Sequence, residues 1–172
     1  MPDAVLWDVD GTLVDTAELH FAAWVEVCQE LGRPFTRDDF AATFGQRNPE
    51  ILAYLFPGRF NASEVADLGE RKEVLYRAAA RRQGVELLPG VRPLLEELHA
   101  AGFKQGLGSS APRANLALLE ELTDVERFLE AVVGAEDTQM GKPDPEVFLL
   151  GAARLGVEPS RCVVMEDAVA GV

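Results

Sequence analysis

Two aspartates, Asp8 and Asp10, stand at the end of the apolar run AVLW, directly before a glycine. Residues two apart at the end of a strand project from one face, so both carboxylates can point the same way while Trp7 and Val9 take the other face. Gly11 then lets the chain turn sharply. The pair is either an acidic surface turn or a site that needs carboxylates held rigidly where a strand ends, which is where ligands bind in open parallel sheets.

Three further segments place chemically capable side chains where strands are predicted to end. In GLGSSA, the hydroxyls of Ser109 and Ser110 and the exposed backbone amides are suited to holding a phosphoryl group. In MGKPDPE, the Lys142 ammonium stands in a stiff glycine-proline loop, where it can neutralise a phosphate or a carboxylate. In VVMEDAVAG, Glu166 and Asp167 offer the hard oxygen ligands that suit Mg²⁺. Taken singly, these segments also fit a serine-rich turn, a solvated lysine and an acidic helix start.

The elements that must position these residues alternate between strand and helix over most of the chain. Short apolar runs predict strands buried on both faces, near residues 4–7, 105–108, 131–133 and 162–165. Helical patterns lie between the last three runs. Strand alternating with helix predicts an α/β fold with a doubly wound parallel sheet.

One region does not alternate. From about residue 16 to residue 84, every periodic stretch is helical, which predicts an all-helical cap subdomain inserted between the first and second strands. We therefore expect an α/β core of residues 1–15 and 85–172 and a helical cap of residues 16–84. The sequence stops soon after a helix begins at Ala168, and a sheet ending there would keep an exposed apolar edge. We therefore expect that the C-terminal part of the core is missing.

Composition and charge limit the partners of the protein. A chain of 172 residues with 48% hydrophobic and 26% charged residues is typical of a soluble globular protein with one good core. Its net charge of -13 at pH 7 repels a nucleic acid backbone, so an anionic ligand needs a local positive pocket. No secretory signal and no run of roughly 20 apolar residues is present. We expect a cytoplasmic monomer that binds neither nucleic acid nor membrane.

Together, the four segments resemble a known set of motifs. DVDGTLVDT, GLGSSA, GKPDP and VVMEDAVAG are similar, in this order, to the four signature motifs of the haloacid dehalogenase superfamily. The resemblance covers nearly the whole chain, including the helical insert, and is closest to the β-phosphoglucomutase-like phosphatase branch. It implies a Rossmann-like core with a cap and an enzyme that transfers phosphoryl groups.

The resemblance also implies roles for the motif residues in catalysis. Asp8 would be the nucleophile that takes up the phosphoryl group as an aspartyl-phosphate. Asp10 would protonate the leaving oxygen and later activate water, as general acid and then base. Ser109 would hold the phosphoryl oxygens, and Lys142 would bridge Asp8 and the phosphate.

A magnesium site is implied by the same resemblance. Asp8, Asp167 and the backbone carbonyl of Asp10 would hold Mg²⁺, and Glu166 would act through water. Such an ion offsets the repulsion between carboxylate and phosphate and stabilises charge on the transferring oxygens.

The predicted cap carries further candidates for binding the substrate. Thr16, His20 and Trp24 recur every four residues and form a stripe on one helix, and matching residues of similar mutases face the site beneath the cap. Packing between cap and core is the other interpretation of His20 and Trp24. Arg47 is suited to a non-reacting phosphate of the substrate, or is an exposed arginine at a helix start. Lys72 matches a cap lysine of these mutases, or lies on the surface.

Two features separate this sequence from the mutase pattern. Arg113, a further candidate for binding the substrate, stands where the mutase carries asparagine, and the spacing from Gly45 to Arg47 is one residue shorter. We therefore expect a Mg²⁺-dependent phosphatase acting on a small phosphorylated metabolite, most plausibly a sugar phosphate. A β-phosphoglucomutase and a non-catalytic phosphate-binding protein are the alternatives.

Overall fold

The structure is a computed structural model that describes residues 2–171 of the chain. Its centre is a parallel sheet with strand order β3-β2-β1-β4. The strands are β1 (Ala4–Trp7), β2 (Lys104–Gly108), β3 (Ala131–Val133) and β4 (Cys162–Met165). All four predicted strands are therefore present, and the prediction of a parallel α/β sheet is confirmed.

Four helices follow β1 and precede β2 along the chain. They are here called the helical insert (residues 17–83). They are α1 (Ala17–Glu30), α2 (Arg37–Thr43), α3 (Asn48–Leu55) and α4 (Ala62–Gln83). Capping boxes at Thr36 and Asn61 begin α2 and α4, because their side chains satisfy backbone amides that the first turn leaves unpaired. The insert has its own apolar cluster around Trp24, Val27 and Leu52, so it has a hydrophobic centre separate from those that cover the sheet.

Three further α-helices cover the two faces of the sheet. The sheet and these three helices are here called the core. The helices are α5 (Val91–Ala100), α6 (Arg113–Thr123) and α7 (Glu146–Leu155). Short 3₁₀ helices span Glu126–Phe128, Ala135–Asp137, Pro159–Arg161 and Val169–Gly171.

The side chains of β1 show why the sheet is doubly wound. Val5 and Trp7 pack with residues of α5 and α6 in one apolar cluster. Ala4 and Leu6 point to the other face and pack with residues of α7. Because successive side chains of a strand alternate between faces, a strand that is apolar throughout needs helices on both sides.

Strand β4 differs from the prediction of burial on both faces. Val163, Val164 and Met165 are each 39% exposed. The reason is position: β4 is at the edge of the sheet and pairs with β1 alone. The expectation of a missing C-terminal part of the core stays a prediction.

None of the helices within residues 2–171 combines the length and the apolar character needed to cross a membrane.

Candidate active site

The carboxyl ends of the strands bring the motif residues to one edge of the sheet. Asp8 follows β1 directly, and its backbone N–H donates to the Met165 carbonyl oxygen at 2.9 Å. Lys142 comes from the loop before α7, and its Nζ lies 2.5 Å from Asp8 Oδ1 and 2.5 Å from Glu166 Oε2. All three side chains are more than nine-tenths buried. One ammonium therefore bridges two buried carboxylates whose residues are far apart in sequence.

Asp167 completes an acidic group with Asp8 and Glu166. One carboxylate oxygen from each of the three lies within 4.8 Å of the others. Gly11 makes this approach possible: its φ is +94°, and a Cβ there would overlap the Asp167 carboxylate. Three carboxylates facing a single ammonium keep an excess of negative charge, and a hard divalent cation is the ligand that such an oxygen-rich group favours.

The surroundings of Asp8 disfavour its ionised form. Burial raises the pKa of Asp8 to about 7, and the nearby charge of Glu166 adds to the rise, while Lys142 opposes it. Taking a carboxylate out of water costs free energy that a single ammonium only partly returns. A cation beside Asp8 would restore its negative charge, because an opposite charge at short range lowers the pKa of a carboxyl.

The Asp10 carboxylate is bonded by Thr16 and by α1 of the helical insert. The Thr16 hydroxyl donates to Asp10 Oδ1, and His20 Nε2 lies 3.1 Å from the same oxygen. Burial alone would raise the pKa of Asp10, but the contacts with His20 and Thr16 and the charge of Lys72 outweigh it and lower the pKa to about 2. Asp10 does not contribute its carboxylate to the acidic group of Asp8, Glu166 and Asp167.

His20 is fixed on three sides. Its Nδ1 lies 2.7 Å from Lys72 Nζ, and its ring stacks on Tyr76 with 4.0 Å between the ring centroids. Lys72 is 3% exposed, so the interpretation of Lys72 as an ordinary surface lysine is wrong. Trp24 fits both of its interpretations, since it is buried in the cluster of the insert and also lines the cavity beside Asp8.

The serines after β2 lie beside the same cavity. Ser109 is buried, its N–H donates to the Val133 carbonyl oxygen at 3.0 Å, and its Oγ accepts from the Ala111 N–H at 3.0 Å. The expectation of exposed amides is therefore wrong at Ser109 and Ala111, because the sheet and the following turn use them. Within the described part of the chain, the buried Ser110 Oγ has no hydrogen-bond partner, so this hydroxyl is available to a ligand.

The cavity itself is small and lies between the core and the insert. Its volume is about 60 Å³, well below the roughly 300–1,000 Å³ of ordinary ligand pockets. The core contributes Asp8, Asp10 and the two serines, and the insert contributes residues of all four of its helices and of the loop between α2 and α3. Little free space therefore remains beside Asp8 while the insert lies against the core.

The structure does not bring Arg47 and Arg113 to this cavity. The Arg47 guanidinium donates to the carbonyl oxygens of Thr138, Gln139 and Met140, at 3.2, 3.3 and 2.5 Å. Arg113 bonds Asp137 at 2.5 Å, and its side chain is 52% exposed. The expected contact of either residue with substrate is not seen here, because each guanidinium is occupied by nearer oxygen atoms of the core.

Four polar residues that line the cavity escaped the sequence analysis: Thr43, Gln46, Asn48 and Glu73. Asn48 begins α3, and Glu73 stands beside Lys72 on α4. Glu73 is 2% exposed and falls four residues after Gly69 and three before Tyr76, which are buried on the same face of α4. A glutamate at helical spacing within a buried face is the signal that could have identified it.

Comparison with known proteins gives consistent results. The family described as haloacid dehalogenase-like hydrolase matches residues 2–172. The chain is 37% identical to β-phosphoglucomutase of Bacillus subtilis, over 98% of this chain and 76% of that protein. It is 36% identical to a phosphorylated carbohydrates phosphatase of Thermotoga maritima, over 99% of this chain and 78% of that protein.

A solved structure shows the same architecture. The crystal structure of β-phosphoglucomutase from Clostridium difficile superposes with a TM-score of 0.90 at 28% identity, covering 100% of this chain and 79% of that chain. The similarity therefore includes the helical insert as well as the sheet.

Proposed function

The chain belongs to the haloacid dehalogenase-like hydrolases, and from this premise we propose that it is a Mg²⁺-dependent phosphatase that hydrolyses a small sugar phosphate through an aspartyl-phosphate on Asp8. The observation that carries the proposal is the contrast around two neighbouring carboxylates. Asp8 lies against Lys142 and the acidic pair Glu166 and Asp167, while Asp10 is held apart by the insert. A nucleophile and a proton donor with separate surroundings are what a covalent displacement requires.

The donor set fits a magnesium ion. The residues that would hold it are Asp8, Asp167 and the backbone carbonyl of Asp10, with Glu166 acting through water. Carboxylate and carbonyl oxygens are hard ligands, and the excess of negative charge in the group supports a divalent cation. When bound, Mg²⁺ would offset the repulsion between Asp8 and an incoming phosphate and stabilise charge on the transferring oxygens.

In the first step, an Asp8 carboxylate oxygen attacks phosphorus, and the bond from phosphorus to the ester oxygen breaks. Asp10 gives a proton to that leaving oxygen, so the product departs as an alcohol. In the structure, His20 and Thr16 favour the ionised form of Asp10. The negative charge of a bound phosphate opposes that preference, since a like charge nearby raises the pKa of a carboxyl. Lys142 holds Asp8 in place throughout.

In the second step, water attacks the phosphorus of the aspartyl-phosphate and the bond to Asp8 breaks. Asp10, now a carboxylate, accepts the proton of the attacking water. Phosphate leaves and Asp8 is free again. Ser109 and Ser110 line the same cavity as Asp8, which supports a role for their hydroxyls in holding phosphoryl oxygens.

A sugar phosphate is supported by the relatives and by the cavity. Several relatives are named for phosphorylated carbohydrates or hexitol phosphates as substrates. The cavity offers hydroxyl, amide and ammonium groups from Ser110, Asn48 and Lys72, which suit a ligand rich in hydroxyl groups. Lys72 and Lys142 are each paired with buried carboxylates, so a bound divalent cation would supply the local positive charge that an anionic substrate needs in a chain with a net charge of -13.

A β-phosphoglucomutase is the second candidate, and 37% identity to the enzyme of that name in Bacillus subtilis favours it. The aspartyl-phosphate would then be passed back to a sugar phosphate instead of to water. The two activities differ in how well the insert excludes water from the phosphorylated Asp8.

The test is a screen of phosphate release across sugar phosphates, hexitol phosphates, nucleotides and phosphoglycolate, with Mg²⁺ and with a chelator. We expect release from sugar or hexitol phosphates that needs Mg²⁺ and that Asp8→Asn abolishes. Coupled detection of glucose 6-phosphate from β-glucose 1-phosphate runs in parallel. Glucose 6-phosphate without free phosphate would show a mutase, and no reaction with any ester would refute both enzymatic assignments.

A further inference from the structure

Glu73 on α4 is a buried charge that the proposed reaction does not use. The side chain is 3% exposed, and its carboxylate is fully bonded. Oε1 accepts from Asn48 Nδ2 at 2.8 Å and from Lys72 Nζ at 3.0 Å, and Oε2 accepts from Asn115 Nδ2 at 2.7 Å. Burying a carboxylate is costly unless partners surround it. The fold therefore maintains this group at a cost that packing alone does not explain.

The bond to Asn115 joins the two halves of the molecule. Asn115 lies on α6 of the core, whereas Glu73 belongs to the helical insert. Arg77 donates to Asn115 Oδ1 at 3.1 Å, which orients the amide so that its N–H group points to Glu73. The contact is therefore specific in direction and exists only while the insert rests on the core.

Lys72 carries the connection from Glu73 to the catalytic aspartate. An ammonium can only donate hydrogen bonds, so His20 Nδ1, at 2.7 Å from Lys72 Nζ, must accept. The ring proton is then on Nε2, which donates to Asp10 Oδ1 at 3.1 Å. The partners thus assign one tautomer of His20. An unbroken chain of buried polar contacts runs from the core helix α6 to Asp10.

We propose that Glu73 is a positioning residue that couples the seating of the insert on the core to the orientation of Asp10. This rests on the proposed function, in which Asp10 exchanges protons with the leaving oxygen. Little free space remains beside Asp8 while the insert lies against the core. In the proposed cycle the insert moves away to admit substrate, and that movement separates Glu73 from Asn115. When the insert returns, Asn115 fixes Glu73, Glu73 fixes Lys72, and His20 again directs its N–H to Asp10. Proton transfer is then competent only in the closed form.

The kinetic test compares two substrates with the magnesium-loaded enzyme. Glu73→Gln keeps the size of the side chain but removes its charge. For an alkyl ester such as a hexitol phosphate, whose leaving oxygen needs a proton, we expect kcat to fall about tenfold to a hundredfold, a part of the usual contribution of general acid catalysis. For p-nitrophenyl phosphate, whose leaving group needs no proton, we expect the rate of the initial p-nitrophenol burst, which reports the attack of Asp8, to change by less than about threefold. KM should change little for either.

Asp67→Asn is the matched control, because Asp67 lies on the same helix and is exposed. It should leave both rates unchanged. Equal losses in kcat for the alkyl ester and in the p-nitrophenol burst, together with a lower melting temperature, would show that Glu73 has only a structural role and overturn the proposal. Unchanged rates on both substrates would also overturn it.

A spectroscopic test does not depend on turnover. The chain has two histidines, and His99 is exposed on α5, so His99 serves as an internal reference for ¹⁵N NMR of the rings. Because Lys72 can only donate to Nδ1, wild-type His20 should show the Nε2–H tautomer. Glu73→Gln should move the His20 resonances and leave those of His99 in place. Identical His20 spectra would refute the coupling, whereas a shift in a protein without activity would refute only the proposed function.

Discussion

Asp8 and Asp10 are separated by one residue, yet the core and the helical insert give them opposite surroundings. On the core side, Asp8 lies beside two further carboxylates and one ammonium, and burial raises its pKa to about 7. On the insert side, burial is outweighed by hydrogen bonds from His20 and Thr16, which lower the pKa of Asp10 to about 2. The two carboxyls thus have opposite protonation preferences, and under the proposed function a cation beside Asp8 and a phosphate beside Asp10 would shift both toward the forms that catalysis needs.

The two aspartates also differ in which part of the molecule supplies their partners. The partners of Asp8 come from the ends of β1 and β4 and from the loop before α7, all within the core. The partners of Asp10 are Thr16, which directly precedes α1, and His20 on α1. His20 in turn contacts Lys72 on α4. A nucleophile and a cation site need constant geometry, whereas a proton donor can be delivered by a part that moves.

Replacing each aspartate in turn should produce the largest effects and separate the two roles. Asp8→Asn removes the nucleophile, so kcat should fall by about 10³-fold or more on every ester. Asp10→Asn should lower kcat by about 10²- to 10⁴-fold on alkyl phosphates, whereas on p-nitrophenyl phosphate the initial burst of p-nitrophenol should fall far less than the later hydrolysis of the aspartyl-phosphate. Steady-state and burst kinetics on matched esters measure both. If the loss of rate varied with the leaving group in the same way in both variants, the assignment of Asp8 as nucleophile and Asp10 as acid would be refuted.

Gly11→Ala tests the core side alone. A Cβ would overlap the Asp167 carboxylate, and the φ of +94° is one that alanine rarely adopts. We expect the free energy of unfolding to fall by about 2 to 3 kcal/mol and the Mg²⁺ concentration for half activity to rise. Urea denaturation and Mg²⁺ titration measure these effects.

Gly58 in the insert is the matched control for that change. Its φ is +69°, and nothing lies within 4 Å of a Cβ placed there. Gly58→Ala should cost about 1 kcal/mol of stability through the backbone alone and leave the Mg²⁺ requirement unchanged. A similar Mg²⁺ requirement in both variants would show that Gly11 does not govern the position of Asp167.

Arg47→Ala tests whether Arg47 binds the substrate or only the core. Arg47 donates to backbone carbonyls just before Lys142, so we expect a loss of about 1.5 kcal/mol of stability with KM unchanged for all esters. Arg113→Ala, which removes another guanidinium bonded to the core, is the control for a general loss of charge. A rise in KM limited to substrates with a second phosphate would instead restore the role in substrate binding predicted from the sequence.

Asp39→Asn should have the smallest effect, on the stability of the insert. Hydrogen bonds from Arg33 lower the pKa of Asp39 to about 2, and Thr36 adds to the effect. Because the pKa in the folded state is depressed, the stabilisation is present above the ordinary value of 3.8 and is lost as pH falls through about 2. We expect a difference of about 1 kcal/mol between wild type and variant at neutral pH, discounted for solvent screening. Denaturation at several pH values measures it.

The difference in stability between wild type and Asp39→Asn should vanish as the pH approaches about 2. Asp38→Asn, at an exposed neighbouring position, should show no such pH dependence. A constant difference at all pH values would mean that Asp39 stabilises α2 by hydrogen bonding without its charge.

Much of this architecture could be predicted because its signals are local. The four strands, the all-helical insert and the family were all anticipated from apolar runs, helical spacing and four short motifs. Asp8, Lys142, Glu166 and Asp167 meet because each follows a strand or precedes a helix at one edge of a parallel sheet, a rule that needs no knowledge of packing. Such positions follow from chain order alone.

Other features depended on how the elements pack together. The exposure of β4 follows from its place at the edge of the sheet, and Arg47 bonds a core loop 91 to 93 residues away instead of facing the cavity. No local pattern contains such distances, because they depend on the angle at which the insert meets the core.

The sequence by itself therefore determined the chemistry of this protein: which side chains occur, in what order, and at which ends of strands. Only the tertiary structure decided how those groups are tuned. Glu73 meets Asn115 across 42 residues of chain, and through Lys72 and His20 it reaches Asp10. The physical reason is that pKa values and hydrogen bonds depend on distances of a few ångströms, and such distances between separate elements are set when helices and sheet pack against each other.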